Sequence, residues 1–255
     1  MKNEQILEEW NAKQPQESKV GFCSLPFNEN SPELPLIVEV SVAQFGGWLD
    51  WKWTGGALSS IQSLFYGISI SNMYEEQGKF FEHIDLVGGF AQKNSIRYAV
   101  FGSPKLRKTA KFGDEALFVE IWQKIADKYP DINWGIEINP AQYGTDICAK
   151  YDQTLEVVKG ISKKNVLLHF DTGCIEMSGE DSYRLLVEHV ANHPTIRIHI
   201  SEPNMVAYSG NSQKIIDLCI EDDIGISLEQ IISKKESNQL FINQAAKAIK
   251  NKLKF

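Results

Sequence analysis

NVLLHFDTG, at residues 165–173, combines an apolar run of strand length with a terminal aspartate and a Thr-Gly pair. Three further stretches have a similar form, GIEIN at 135–139, IRIHISE at 196–202 and IGISLE at 224–229. Such short runs alternate along the chain with segments of helical periodicity, a pattern typical of parallel strands joined by crossover helices. The sequence therefore predicts an α/β chain built from β/α units.

Seven runs have the length and composition of such strands. They are residues 36–41, 58–65, 96–102, 132–138, 166–170, 196–200 and 224–228. Residues 20–25 are the candidate for an eighth strand, although the short, proline-containing connection to the next run is too short for a usual crossover helix. We therefore expect a single domain, residues 1–255, folded as a (β/α)8 TIM barrel with an irregular first β/α unit.

Helical periodicity fills most of the intervals between the predicted strands, because apolar residues recur there three and four positions apart. These segments are 78–92, 115–128, 154–161 and 182–193. Two terminal helices are also expected, one over residues 3–12 that caps the bottom of the barrel and one over 239–252 that closes the fold.

The composition excludes several classes of protein. With 43% hydrophobic and 23% charged residues, the chain is an ordinary globular protein, and it lacks an apolar run of membrane-spanning length. Residues 1–10 contain three glutamates and do not resemble a secretory signal. The four cysteines are far apart and form no C-x-x-C pair, which argues against a disulfide framework and a structural zinc site. We expect a cytoplasmic protein without a membrane partner.

The charge balance is acidic, with 26 Lys and Arg against 33 Asp and Glu and a net charge of -7. Such a chain gains little from counterion release on a phosphate backbone, so nucleic acid is not an expected partner. A local basic cluster of Lys105, Arg107, Lys108 and Lys111 has two interpretations: it binds a phosphate or sugar oxyanion, or it is a solvated loop.

Four consecutive predicted strands end in a residue that can bind a cation, namely Glu137, Asp171, His199 and Glu229. Their spacings are 34, 28 and 30 residues, each close to one β/α unit, so a barrel would bring all four to its carboxyl-terminal rim. An acid at a strand end is more often a cap or a turn former. The repetition of a possible metal ligand at the ends of four consecutive strands favours a metal site.

Three carboxylates and one imidazole form an oxygen-rich ligand set, which suits Mn²⁺, Mg²⁺ or Co²⁺ better than sulfur-preferring metals. We expect Mn²⁺, with Zn²⁺ less favoured. A divalent cation can stabilise the enediolate that forms when a keto-sugar loses a carbon-bound proton. Glu137 and Glu229 are the candidate catalytic residues, one to remove the proton and the other to return it. The sequence predicts epimerisation or isomerisation without deciding between them.

Four motifs resemble those of the sugar isomerase and epimerase family within the xylose isomerase-like TIM barrels. They are FGSPKLR at 101–107, EINPAQYG at 137–144, HFDTG at 169–173 and HISEP at 199–203. The resemblance implies the same four metal ligands and a homodimer. It also implies a sugar-binding mouth, and the substrate-binding candidates are Glu202, Gln62, Ser103, Asn139, Tyr143 and Lys105.

The chain departs from this family at two positions. Characterised ketose 3-epimerases carry a His three residues after the metal Asp, where this chain has Cys174, and an Arg after the H-x-x-E motif, whereas no Arg follows Arg197 here. We therefore expect different substrate contacts. Arg197 itself, if it faces inward, needs a carboxylate partner, for which Glu137 and Asp171 are the candidates.

Two alternatives to the sugar isomerase remain open at this level. A non-catalytic carbohydrate-binding barrel would keep the fold without needing two glutamates beside a metal. An abasic-DNA endonuclease of the same barrel superfamily would need a histidine-rich three-metal cluster, and the chain has only five His, three of them in or near predicted helices. Trp48, Trp51 and Trp53 would either stack on a sugar ring or cover the end of the barrel.

Overall fold

The computed structural model describes residues 2–24, 36–42, 58–65, 67–109, 111, 113–231 and 234–253. Within them, parallel strands β1 to β8 follow one another in chain order around a closed barrel, which confirms the predicted (β/α)8 TIM-barrel fold. The strands are Val20–Ser24 (β1), Ile37–Ser41 (β2), Ser60–Gln62 (β3), Tyr98–Phe101 (β4), Asn133–Glu137 (β5), Val166–Asp171 (β6), Arg197–Ile200 (β7) and Gly225–Leu228 (β8).

The helices described in the structure lie mainly between these strands, and six of them were predicted from apolar periodicity. They are Asn3–Lys13 (α1), Gln77–Lys93 (α2), Asp114–Lys128 (α3), Tyr151–Ile161 (α4), Thr172–Met177 (α5), Ser182–Val190 (α6), Gln213–Glu221 (α7) and Lys235–Leu253 (α8). Two helices were missed, α5 and α7. The six residues of α5 make fewer than two turns, which is too short for a periodic pattern. By contrast, α7 is as long as the predicted α6 and carries an amphipathic pattern, with Ile215, Ile216, Cys219 and Ile220 buried, that was overlooked. None of the helices in the described ranges is long and apolar enough to cross a membrane.

Contacts between residues group the chain into two compact units. The first unit comprises residues 1–40, 55–59 and 170–255, and the second comprises residues 41–54 and 60–169. In the first unit, α8 packs against α1 and α7, and β8 pairs with β1 and β7. In the second unit, β4 pairs with β5 over the full length of β4, from Tyr98 opposite Asn133 to Phe101 opposite Ile136. The single-domain organisation stays a prediction.

The first β/α unit is irregular where the structure describes it. Strand β1 pairs directly with β2, and their register shifts between Phe22 and Cys23. The two strands approach so closely that a Cβ atom at Gly21 would overlap the carbonyl oxygen of Leu36 and contact the side chain of Val38, so only glycine fits there. Residues 25–35 and the three tryptophans Trp48, Trp51 and Trp53 lie outside the described residues.

Candidate metal centre

Three of the predicted ligands come together on adjacent strands of the first unit. Asp171 ends β6 and pairs in register with His199 of β7, while Glu229 follows β8 and donates its backbone N–H to the carbonyl of Ile200 at 2.9 Å. Parallel pairing therefore places the three side chains at one level, at the carboxyl ends of their strands. All three are at least 95% buried, with His199 fully excluded from solvent.

The distances between these side chains are those of a cation site. Nδ1 of His199 lies 3.2 Å from Oε2 of Glu229 and 3.8 Å from Oδ2 of Asp171. Oxygen and nitrogen ligands lie about 2.0–2.2 Å from a bound Zn²⁺ or Mg²⁺, so neighbouring ligand atoms in such sites are separated by roughly 3 Å. Two buried carboxylates that face the same edge of one imidazole therefore fit a divalent cation.

Asp171 is held in place by the first turn of α5, which follows its own strand, and by Ser201, which follows β7. Its Oδ1 accepts hydrogen bonds from the hydroxyl of Ser201 and from the backbone N–H of Cys174, both at 2.7 Å. A Cβ atom at Gly173 would lie 2.5 Å from Oγ of Ser201, which explains the glycine of the D-T-G motif. These bonds direct the second oxygen, Oδ2, toward His199.

The opposite nitrogen of His199 contacts Glu39, a residue that the sequence interpretation missed. Nε2 of His199 lies 2.7 Å from Oε1 of Glu39, and Oε2 of Glu39 accepts hydrogen bonds from Nε of Arg197 at 3.2 Å and from the hydroxyl of Ser227 at 3.0 Å. Glu39 and Arg197 are both fully buried. The expectation that Glu137 or Asp171 would pair with Arg197 is therefore corrected: its carboxylate partner is Glu39.

Arg197 lies in a polar cradle near the amino ends of the strands. Its Nη1 donates to the backbone carbonyls of Glu17 at 3.1 Å and Lys19 at 2.9 Å, and its Nη2 donates to the hydroxyl of Ser227 at 2.5 Å. A Cβ atom at Gly225 would lie 2.7 Å from Nη1, so the glycine makes room for the guanidinium. Because these donors and the charge have partners, the arginine can be buried at a tolerable cost.

Glu137, the remaining predicted ligand, ends β5 in the second unit and is 8% exposed. Its Oε2 accepts a hydrogen bond from the side-chain amide of Asn139 at 2.6 Å, and its backbone carbonyl accepts one from Nη1 of Arg107 at 2.9 Å. A Cβ atom at Gly102 would overlap Oε2 of Glu137. Asn139, Arg107 and Gly102 thus together define where this carboxylate lies.

The basic cluster predicted at residues 105–111 does not act as one surface. Arg107 is fully buried and points to the carbonyl of Glu137, whereas Lys105 lies at a pocket of about 670 Å³ in the second unit. The interpretation of the whole cluster as a solvated loop or a single oxyanion site is therefore wrong for Arg107. Burial raises the pKa of Cys148 to about 11, and the charge of Arg107 opposes this rise in part.

Three of the predicted substrate residues line that pocket, namely Ser103, Lys105 and Tyr143. Ser103 adopts a left-handed backbone conformation, with φ of 44°, at the turn where β4 leads into a short 3-10 helix. Gln62 and Asn139 are buried at the ends of β3 and β5 and are not among the residues that line this pocket. Its other lining residues are Ser63, Phe65, Gly67, Ile70, Pro104, Leu106 and Gln142.

Glu202 has a local role in the structure. Its Oε1 accepts hydrogen bonds from the backbone N–H of Ser209 at 2.9 Å and from the hydroxyl of the same residue at 2.6 Å. The chain does turn at this point, because Pro203–Met205 forms a 3-10 helix with a left-handed Asn204, at φ of 60°. Glu202 thereby closes a loop, and its predicted contact with a substrate hydroxyl stays a prediction.

The five histidines divide between strands and helices. His169 and His199 lie on β6 and β7, whereas His83 and His189 pack on α2 and α6 and His193 follows α6. Nδ1 of His169 lies 3.1 Å from the hydroxyl of Tyr98. The prediction that the other three lie in or near helices is confirmed.

No protein-family model matches this chain, and no curated protein is similar to it in sequence. Solved structures are similar in fold. The 3-keto-D-glucoside 4-epimerase from E. coli has a TM-score of 0.63 at 9% identity, over 90% of this chain and 98% of that one. The AP endonuclease, family 2, from Brucella melitensis has a TM-score of 0.61 at 13% identity, over 86% and 96%.

A third structure, the IOLI protein with a bound zinc atom, has a TM-score of 0.56 at 13% identity, over 91% of this chain and 98% of that one. At such low identities these likenesses establish the fold alone. The chain therefore shares the TIM-barrel fold with these structures, and its activity has to be argued from its own residues.

Proposed function

We propose that this protein is a metal-dependent sugar isomerase or epimerase that acts on a keto-sugar or sugar derivative by proton transfer through an enediolate. The observation that carries the proposal is the buried group of Asp171, His199 and Glu229, with ligand atoms within 4.8 Å of one another at the carboxyl ends of three adjacent strands. This end of a TIM barrel is where its active sites are built. The fold shared with a 3-keto-D-glucoside 4-epimerase agrees with this choice.

We further propose Glu137 as the fourth ligand. It ends β5 as Asp171 ends β6, and it pairs in register with His169, which precedes Asp171 by two residues on the same strand. Residues two apart on a strand face the same side. The resulting set of three carboxylates and one imidazole favours Mn²⁺, with Mg²⁺, Co²⁺ and Zn²⁺ as alternatives.

The residues of the site divide the chemistry between them. A bound cation would supply electrostatic stabilisation of the two oxygens of the enediolate. Glu137 and Glu229 would move the proton: one carboxylate removes it from carbon and the other returns it to the opposite face, which inverts that carbon. Return of the proton to the neighbouring carbon would give isomerisation instead. The hydrogen bond from Asn139 to Oε2 of Glu137 orients the first of these carboxylates.

The substrate contacts are proposed from the pocket that contains Ser103, Lys105 and Tyr143. The hydroxyls of Ser103 and Tyr143 can exchange hydrogen bonds with sugar hydroxyls, and the ammonium of Lys105 can bind an anionic substituent. Gln62, Asn139 and Glu202 complete the predicted set. The homodimer and the cytoplasmic location stay predictions.

The first test is metal content after purification with Mn²⁺ and removal of the unbound ion. The wild type should retain about one ion per chain and Asp171→Asn should lose it, because a neutral amide is a poor ligand for a hard cation. Asp181→Asn is the matched control, since Asp181 also accepts a backbone N–H at the start of a helix but lies at the surface. A wild type that retains no metal would refute the proposal.

The second test measures uptake of solvent deuterium into a panel of ketoses. The loaded wild type should exchange a carbon-bound proton, and Glu229→Gln should lose this exchange because an amide cannot accept the proton. A loaded wild type that binds sugar but exchanges no proton would favour a non-catalytic carbohydrate-binding barrel. Cleavage of abasic DNA under the same conditions would favour an endonuclease. This alternative is tested because the fold is also similar to that of the AP endonuclease from Brucella melitensis.

A further inference from the structure

Glu39 is an acidic residue in the middle of the otherwise apolar strand β2. Its side chain is fully buried, and both of its carboxylate oxygens have partners. Burial of a carboxylate costs several kcal/mol unless nearby charge and hydrogen bonds offset it. An apolar side chain at this position would pack without that cost, so packing alone does not explain Glu39.

The ion pair with Arg197 involves only one of the two carboxylate oxygens of Glu39. Oε2 of Glu39 accepts from Arg197 and from Ser227, whereas Oε1 contacts Nε2 of His199 at 2.7 Å. The pairing of β7 with β8 places His199 opposite Ser227, so one carboxylate can reach all three partners. The guanidinium and the hydroxyl thus hold Oε2, and the remaining oxygen is directed at the imidazole.

We propose that Glu39 is a positioning residue of the metal centre, which holds the proton of His199 on Nε2 and so presents the lone pair of Nδ1 to the cation. A neutral imidazole carries its proton on one nitrogen only, and the nitrogen that is hydrogen-bonded to a carboxylate is the one that keeps it. Nδ1 is the nitrogen that faces Glu229 and Asp171. The inference rests on the proposed metal site and assigns a role to a residue outside its ligand set.

The first measurement is the affinity for Mn²⁺, determined by competition with a chelator. Glu39→Gln should bind Mn²⁺ about 10–100-fold more weakly than the wild type, the usual effect of removing an outer carboxylate from a ligating histidine. Asn11→Ala is the matched control, because Asn11 is likewise buried in the first unit and its side chain exchanges hydrogen bonds with the backbone of Val20 rather than with Glu39 or His199. It should lower the melting temperature while the Mn²⁺ affinity stays close to that of the wild type.

Two outcomes of this titration would overturn the inference. One is a Glu39→Gln protein that binds Mn²⁺ as tightly as the wild type. The other is a parallel loss of affinity and melting temperature in both variants, which would reduce Glu39 to a structural role.

The second measurement observes the ring protons of His199 by NMR spectroscopy, in metal-free protein labelled with ¹⁵N-histidine. The wild type should show a downfield proton on Nε2 of His199, assigned by its loss in His199→Asn, and Asn11→Ala should retain it. Absence of this resonance from the wild type would overturn the inference, even if Glu39→Gln failed to fold. Because no metal is present, a wild type that shows the resonance but binds no Mn²⁺ would refute the proposed function and leave the orientation by Glu39 intact.

Discussion

Two buried groups, one in each unit, contribute to the protein in opposite ways. In the first unit, Glu39, Arg197 and His199 are fully buried and form a chain of polar contacts that includes the ion pair of Glu39 with Arg197. In the second unit, Trp122 is fully buried among aromatic rings, with centroid distances of 4.8 Å to Phe101 and 5.7 Å to Trp134. The aromatic group stabilises the fold through apolar area and ring contacts.

The charged group contributes little net stability, because the desolvation of its members offsets most of their attraction. Its contribution is to orientation, because each hydrogen bond fixes the direction of one polar side chain. Loss of one member of the polar group in the first unit should therefore affect metal binding and stability together. Loss of a ring in the second unit should affect stability alone.

The largest effect is expected for Arg197→Met, which leaves the buried charge of Glu39 without its guanidinium partner. Removal of one partner from a buried ion pair costs about 3–5 kcal/mol of unfolding free energy. The Mn²⁺ affinity should fall as well, because Glu39 is no longer held toward His199. Urea denaturation and chelator competition measure the two effects.

Arg184→Met is the control for this change. Arg184 pairs with Glu188 on the surface of α6 at 3.4 Å, with both side chains more than half exposed, and such pairs contribute at most about 1 kcal/mol. Equal stability of Arg197→Met and the wild type would contradict the idea that the polar network depends on charge pairing.

A loss of similar size, confined to stability, is expected for Trp122→Ala. Truncation of a buried tryptophan costs about 3–5 kcal/mol through lost burial and the cavity that remains, whereas the Mn²⁺ affinity of the folded protein should not change. Trp122→Phe should cost less, because it keeps a ring and because Nε1 of Trp122 has no hydrogen-bond partner within the described residues. A weaker Mn²⁺ affinity in folded Trp122→Ala would contradict the expectation that loss of this ring affects stability alone.

The smallest of the three effects is expected for Gly102→Ala, which places a methyl group against Oε2 of Glu137. Overpacking of this kind costs about 1–3 kcal/mol. If metal binding loses the same amount of free energy, the Mn²⁺ affinity falls about 5–150-fold. Gly89→Ala on α2 is the control, because a Cβ atom there meets nothing within 4 Å and alanine favours a helix. Unchanged Mn²⁺ affinity in Gly102→Ala would argue against Glu137 as the fourth ligand.

Most of the fold was predictable from local signals. Strand-length apolar runs and their spacing predicted all of the barrel strands, and the residue at the end of each run identified Asp171, His199 and Glu229 as neighbours. Both inferences rest on periodicity and on the common direction of parallel strands, which short segments of sequence contain. Helix α5 was missed because it spans fewer than two turns, whereas α7 has the length of α6 and its periodic pattern was overlooked.

Patterns within each β/α unit were thus enough to predict the barrel and the candidate ligands at its strand ends. The groups that orient these candidate ligands could be identified only from the folded chain. Glu39 is 160 residues from His199 and 158 from Arg197 along the chain, and Arg107 turns inward to the carbonyl of Glu137 from a run of basic residues. Such partnerships depend on strand register and on closure of the barrel, which bring distant residues together and leave no periodic trace in the sequence.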